Sequence, residues 1–181
     1  MLSLLSQSKA STAVHLPLPP ERFRCAENVR SVVLSPHAPA FARKGSRKGA
    51  KGAGLRYEAR VQRTFLSDYY STYLPSPWFR FVDDCGMRWC QPDGLIIDAV
   101  SGRIIIVEVK TSHTGEAWWK LHKLYLPVVR ALFGDGFEYR CLEVVRYYDP
   151  ATLFPLAKLT AEPSAAPPLP FTGVHICTPL A

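Results

Sequence analysis

The sequence predicts an α/β fold in which helices flank a group of strands, and three observations carry that expectation. Two apolar, β-branched runs, residues 95–97 and 104–107, flank the turn pair Ser101-Gly102 and read as a hairpin of strands buried on both faces. Helical stripes lie on either side of the hairpin, one over residues 55–73 and one from Trp118 to Leu132. A strand-like run over 138–147 follows the second stripe, which gives the order α-β-β-β-α-β.

In the first helix, Leu55, Val61, Gln62, Phe65, Leu66, Tyr69 and Tyr73 fall on one stripe at 100° per residue, while Arg56, Arg60, Arg63 and Ser67 fall opposite. Glu58 lands inside the apolar stripe, where a carboxylate needs a partner; a glutamate capping the first helical turn is the alternative. Residues 78–84 read as the first strand, Cys85-Gly86-Met87 as a turn, 88–98 as the second strand and 103–110 as the third. Residues 111–114 are a polar break in which Thr114 can cap a helix. The next stripe comprises Trp118, Leu121, His122, Tyr125, Val128, Val129 and Leu132, and Pro127 should kink or interrupt it. Gly134-Asp135-Gly136 supplies the turn into the last strand.

The chemistry is concentrated between Gln91 and Lys110, QPDGLIIDAVSGRIIIVEVK. Side chains alternate along a strand, so Glu108 and Lys110 project from the face of Ile104 and Ile106, and Asp93 from that of Leu95 and Ile97. A register closed at Ser101-Gly102, with Gly102 free to take a positive φ, brings Asp93 beside Glu108. Two adjacent buried carboxylates cost several kcal/mol and repel each other. A divalent cation removes both penalties, and hard oxygen donors favour Mg²⁺ or Mn²⁺ over zinc. Lys110 then points at the same place, where it can hold a water or balance phosphate charge. The alternative is an ordinary Glu108–Lys110 surface pair on an edge strand.

Pro92-Asp93 followed by Glu108-x-Lys110 on the next strand resembles the core motif of the PD-(D/E)XK nuclease superfamily. The resemblance covers residues 54–148, and it implies a restriction-endonuclease-like αβββαβ core with a central mixed β-sheet flanked by helices. It assigns Asp93 and Glu108 as metal ligands with the Val109 carbonyl beside them, and Lys110 as the catalytic lysine. It also assigns Glu58 as the acidic residue of the first helix that faces the metal. Mg²⁺ is the implied cofactor, with Mn²⁺ substituting, and DNA the implied substrate. In one respect the chain departs from some exonuclease branches, which carry a glutamine and a tyrosine one turn apart on the second helix: Leu121 lies one α-turn before Tyr125. Lys120 and Lys123 nearby either contact phosphate or are simply solvated.

Length and charge fit one domain with two tails, bounded as 1–53, 54–148 and 149–181, in a chain of 181 residues and net charge +7. Much of the excess charge precedes the core. The glycine-rich stretch with Arg43, Lys44, Arg47, Lys48 and Lys51 suits sequence-independent phosphate contact, or else is a solubilising, mobile linker. Residues 149–170 read as a Pro/Ala-rich irregular tail and 171–177 as a possible short edge strand. Five scattered cysteines fit neither a disulfide framework nor a zinc site, although Cys85 and Cys90 flank one turn. His113 and His122 lack partners at metal-ligand spacing. No segment has the length and apolarity of a membrane span. The expected setting is therefore the cytoplasm, or a host cytoplasm for a phage-encoded chain. The function expected is a metal-dependent deoxyribonuclease of recombination, repair or DNA processing, dimeric if it resolves junctions. The rival is a nucleic-acid-binding or assembly protein that keeps the scaffold without cleaving.

Overall fold

The computed structural model describes residues 25–42, 49–68, 72–112, 115–147 and 174–177. Its elements run β1 (Ser31–Ser35), α1 (Gly49–Asp68), β2 (Tyr73–Pro75), β3 (Trp78–Asp83), β4 (Gly86–Cys90), β5 (Gly94–Asp98) and β6 (Arg103–Ser112). Then come α2 (Gly115–Trp119), a π-helical turn (Lys120–Tyr125), α3 (Leu126–Phe133), β7 (Glu138–Tyr147) and β8 (Val174–Cys177). The described chain is thus of the α/β class. A five-stranded sheet in the order β2-β5-β6-β7-β8 is parallel at β6–β7 and antiparallel elsewhere, and a three-stranded antiparallel sheet has the order β1-β3-β4.

The hairpin forms where the apolar runs placed it. Gly102 takes φ +65°, a conformation glycine reaches without a Cβ penalty. Asp98 stabilises the turn by accepting the Val100 and Ser101 amides, both at 3.1 Å. Registers Gly94↔Val107 and Asp98↔Arg103 then follow. Each face of the large sheet buries its own core. Tyr57, Val61 and Phe65 of α1 cover Ile96, Val107, Val109, Leu142 and Val144. On the opposite face Leu95, Ile104, Ile106, Tyr139 and Cys141 meet Leu121, Val128 and Val129, joined by Phe79 and Phe81 of the smaller sheet.

Several elements differ from the sequence reading. The first helix starts at Gly49 rather than Leu55, so the glycine-rich stretch is partly its opening turns and not wholly a linker. Tyr57 is buried in place of Leu55, which is exposed, and Tyr73 belongs to β2. The expected first strand, 78–84, forms as β3 but lies in the smaller sheet, and the expected second strand, 88–98, is two strands in two sheets. Pro92 offers no amide to a ladder, and the chain crosses from β4 to β5 over Gln91-Pro92-Asp93. Strand β1 falls in the segment 1–53 read as a tail outside the core; its three apolar residues, Val32, Val33 and Leu34, are consecutive and set no period. Cys25, Cys85, Cys90 and Cys141 form no disulfide among the described residues, with Cys85 exposed and Cys90 buried. His113, Thr114 and the 149–170 tail lie outside the described residues, whereas β8 forms within the expected 171–177 strand.

Pro127 acts one turn earlier than a simple kink. Without an N–H it cannot serve the carbonyl four residues back. That carbonyl, on Lys123, accepts the Ala26 amide instead, at 2.8 Å. The preceding turn is widened to π geometry, closed by the Leu126 amide on the Leu121 carbonyl; such wide turns often coincide with functional positions.

Candidate active site

One step beyond the last hairpin pair, Asp93 comes opposite Glu108. The Asp93 amide donates to the Val107 carbonyl at 3.0 Å, and its carboxylate accepts the Val109 amide at 2.6 Å. The Asp93 carbonyl is held from the other side by the Ser76 amide at 3.0 Å, Gln62 at 3.2 Å and the Tyr73 hydroxyl at 3.3 Å. Ser76 adopts φ +44° to do this, local strain of the kind that accompanies functional geometry. Gly94 is required by close approach: a Cβ there would lie 2.4 Å from the Tyr73 hydroxyl and 2.5 Å from its ring.

Glu108 sits on β6, the middle of the large sheet, with 2 % of its surface exposed. That removes the edge-strand surface pair as an account of Glu108 and Lys110. The Lys110 ammonium lies 2.5 Å from Glu108 Oε1, and the Lys120 ammonium 3.7 Å from the same oxygen and 3.3 Å from Glu116. Glu108 Oε2 is buried without a hydrogen-bond partner. Glu58 lies well past the first turn of α1, so capping does not explain it. Gln62 reaches it at 3.3 Å, and its charge is felt at Asp93 and Tyr73.

Two further side chains share the site that the sequence reading did not assign to it. Glu143 of β7 stands in register with Glu108, is 1 % exposed, and its charge acts on Lys110. Its signal was parity: it has the inward phase of Tyr139 and Cys141. Tyr125 is buried, and the carboxylates of Glu108 and Asp93 add to burial in pushing its phenol well above the ordinary tyrosine range. The π turn explains why Lys120 accompanies it. In the widened turn the residue five positions before Tyr125, not Leu121 at four, approaches Glu108, while Leu121 is packed in the core. Lys123 instead lines a surface hollow with Cys25, Glu27 and His122. Arg43, Lys44, Arg47 and Lys48 lie outside the described residues, as does the side chain of Lys51.

The electrostatics favour cations. Burial first, then the charges of Glu108 and Glu58, push the Asp93 carboxyl up to about 8, against the opposing Val109 amide and Lys110 charge. Glu58 is raised by burial, with Lys110 opposing and Glu108 reinforcing. Burial pulls the Lys110 ammonium down, but Glu108, with Asp93 and Glu143 behind it, outweighs that and holds it above the ordinary lysine value.

Among the described residues no three carboxylate, imidazole or thiol groups converge closely enough to enclose a metal by themselves. Mg²⁺ does not need such a cage: one or two carboxylates suffice, with water and substrate oxygens completing its shell. Asp93 and Glu108, whose Oε2 is buried and unsatisfied, are donors of that kind. Among the described residues no helix is long and apolar enough to cross a membrane. No family model, curated protein or solved structure matches the chain.

Proposed function

We propose that this protein is a metal-dependent deoxyribonuclease that hydrolyses DNA phosphodiester bonds in recombination, repair or processing. The observation that carries the reading is the convergence of Asp93, Glu108 and Lys110 at one end of the β5–β6 hairpin, where Glu108 is almost wholly buried. Buried carboxylates set against each other are costly, and a structural hairpin gains nothing from them. Topology adds support. Followed along the large sheet alone, the chain runs α1, β2, β5, β6, α2–α3, β7. That is helix, three strands, helix, strand, the order implied by the PD-(D/E)XK resemblance, with β2 standing where residues 78–84 were expected and β3–β4 as an inserted hairpin.

In this reading Asp93 and Glu108 hold Mg²⁺ or Mn²⁺, with the Val109 carbonyl and Glu58 beside them. The ion would supply Lewis-acid stabilisation of the phosphate and a more acidic water. The chain's own groups do the rest. Lys110, released from Glu108 Oε1, orients the attacking water or meets charge developing on the phosphate. Lys120 adds a second cation on the same side. Gln62, Tyr73 and Ser76 hold the Asp93 backbone, which keeps its carboxylate aimed.

The experiment is conversion of supercoiled plasmid to nicked and linear forms with Mg²⁺, with Mn²⁺ and with chelator. Cutting only in the presence of metal is expected. Plasmid binding with no cutting under either metal would favour the rival, a nucleic-acid-binding or assembly protein on the same scaffold.

A further inference from the structure

Among the described residues, one face of the small sheet is left uncovered. Phe79, Phe81 and Cys90 turn inward to the core. Alternation then sends Trp78, Arg80 and Val82 of β3, Met87 and Trp89 of β4, and Val33 of β1 outward. The registers Val33↔Arg80 and Arg80↔Trp89 put the arginine at the centre of the three strands. Trp78 and Trp89 lie edge to face at 6.4 Å, and Phe41, from the loop after β1, stands against Trp89 at the same separation. Phe41 and Met87 are about two-thirds exposed, at 65 % and 66 %. Arg80 is exposed. The nearby carboxylates are engaged elsewhere, Asp84 with Arg30 and Asp83 with Arg88.

We infer that this face is a stacking platform for single-stranded nucleic acid that feeds the candidate active site. Bases of any identity stack on aromatic rings, and a neighbouring cation takes the backbone phosphate. Charge complementarity selects this occupant. Among the described residues the face offers an arginine with no carboxylate paired to it, in a chain of net charge +7, and beyond Ala42 the sequence carries Arg43, Lys44, Arg47 and Lys48. A second protein surface would have to leave Arg80 unpaired or answer it with an acid. Position adds a second argument. Trp78 and Trp89 lie at the end of the β3–β4 hairpin where Gln91 Nε2 donates to the Ser76 carbonyl at 2.9 Å and the Ser76 amide holds the Asp93 carbonyl. A strand stacked across the two tryptophans therefore leaves the platform close to the carboxylates. The inference rests on the nucleic-acid reading of the chain but not on cleavage.

The test is fluorescence anisotropy of a labelled oligothymidylate, and of a duplex of equal length, with full-length protein in chelator so that nothing is cut. The intact protein should bind the single strand more tightly than the duplex. Trp89→Ala should weaken single-strand binding by about 10- to 100-fold, the range expected for loss of one stacked base. Arg80→Glu, a change at an exposed position, should weaken it by at least about tenfold and guards against misfolding of the tryptophan variant. Unchanged single-strand affinity in both variants overturns the inference, even where the plasmid is still cut. A dimer in light scattering that Trp89→Ala dissociates, with oligothymidylate affinity intact, overturns it in favour of a second copy. Conversely, platform-dependent binding without metal-dependent cutting upholds the inference and defeats only the nuclease reading.

Discussion

Replacing Asp93 with asparagine should stabilise the metal-free protein, increasingly so as the pH rises. Burial and the charges of Glu108 and Glu58 push the folded carboxyl up from 3.8 to about 8, while unfolding returns it to the ordinary aspartate value. With the folded value above the unfolded one, the native state binds the proton more tightly. Below about pH 4 both states are protonated and the group costs nothing; as the pH climbs toward 8, ionisation progressively favours the unfolded chain. A shift of about four units corresponds to an upper limit of about 6 kcal/mol at about 1.4 kcal/mol per unit. Water entry and rearrangement of Lys110 and Lys120 should reduce this to about 2 kcal/mol. Asparagine keeps a side-chain oxygen for the Val109 amide, so the substitution removes charge and not the hydrogen bond. Urea unfolding in chelator is the assay. The stability of Asp93→Asn relative to wild type should grow by about 2 kcal/mol between about pH 4.5 and about pH 8. Millimolar Mg²⁺ should stabilise the wild type and leave the variant unmoved. A difference independent of pH, or one favouring the wild type at the alkaline end without metal, would refute the electrostatic reasoning.

Other outcomes follow from the same geometry. Gly94→Ala drives a methyl into Tyr73 and should cost about 1–3 kcal/mol in thermal or urea unfolding; much less cost in the Tyr73→Ala background would verify the clash. Pro127→Ala restores an amide for the Lys123 carbonyl and should regularise the π turn. The helix should then move Lys120 away from Glu108 and cut plasmid nicking by about tenfold without loss of thermal stability. His122, stacked on Trp118 at 4.7 Å, is pushed down by burial to about 4. Its contribution to stability is complete above the ordinary histidine value and lost as the pH falls toward 4, so His122→Phe should flatten the acid limb of an unfolding profile.

The parts of the fold governed by local pattern were readable in advance. The Ser101-Gly102 hairpin, the last strand at 138–147 and the meeting of Asp93 with Glu108 follow from β-branched runs, one glycine turn and strand alternation. What escaped depends on partners distant in sequence. Strand β1 exists because β3 offers it an edge, and nothing in five residues of mixed polarity announces that. The break at Pro92 was visible as a proline, but the transfer to another sheet is tertiary. Lys120 could not be placed by counting in α-turns, because the amide missing at Pro127 and the Ala26 amide together change the turn before it. Glu143 was within reach by parity once β7 was set against β6. The smaller sheet's aromatic face was hidden because Trp78 and Trp89 belong to strands whose outward phase becomes clear only when the hairpin separates from the central sheet.

The most direct test of the central claim compares plasmid nicking by wild type, Asp93→Asn and Lys110→Met in Mg²⁺, Mn²⁺ and chelator, with folding of each protein verified by its melting curve. Cutting by the wild type in metal alone, reduced at least about a hundredfold in both folded variants, is the result predicted. Equal cutting by wild type and variants, or none by a folded wild type that binds the plasmid, would contradict the assignment of Asp93, Glu108 and Lys110 as a catalytic site.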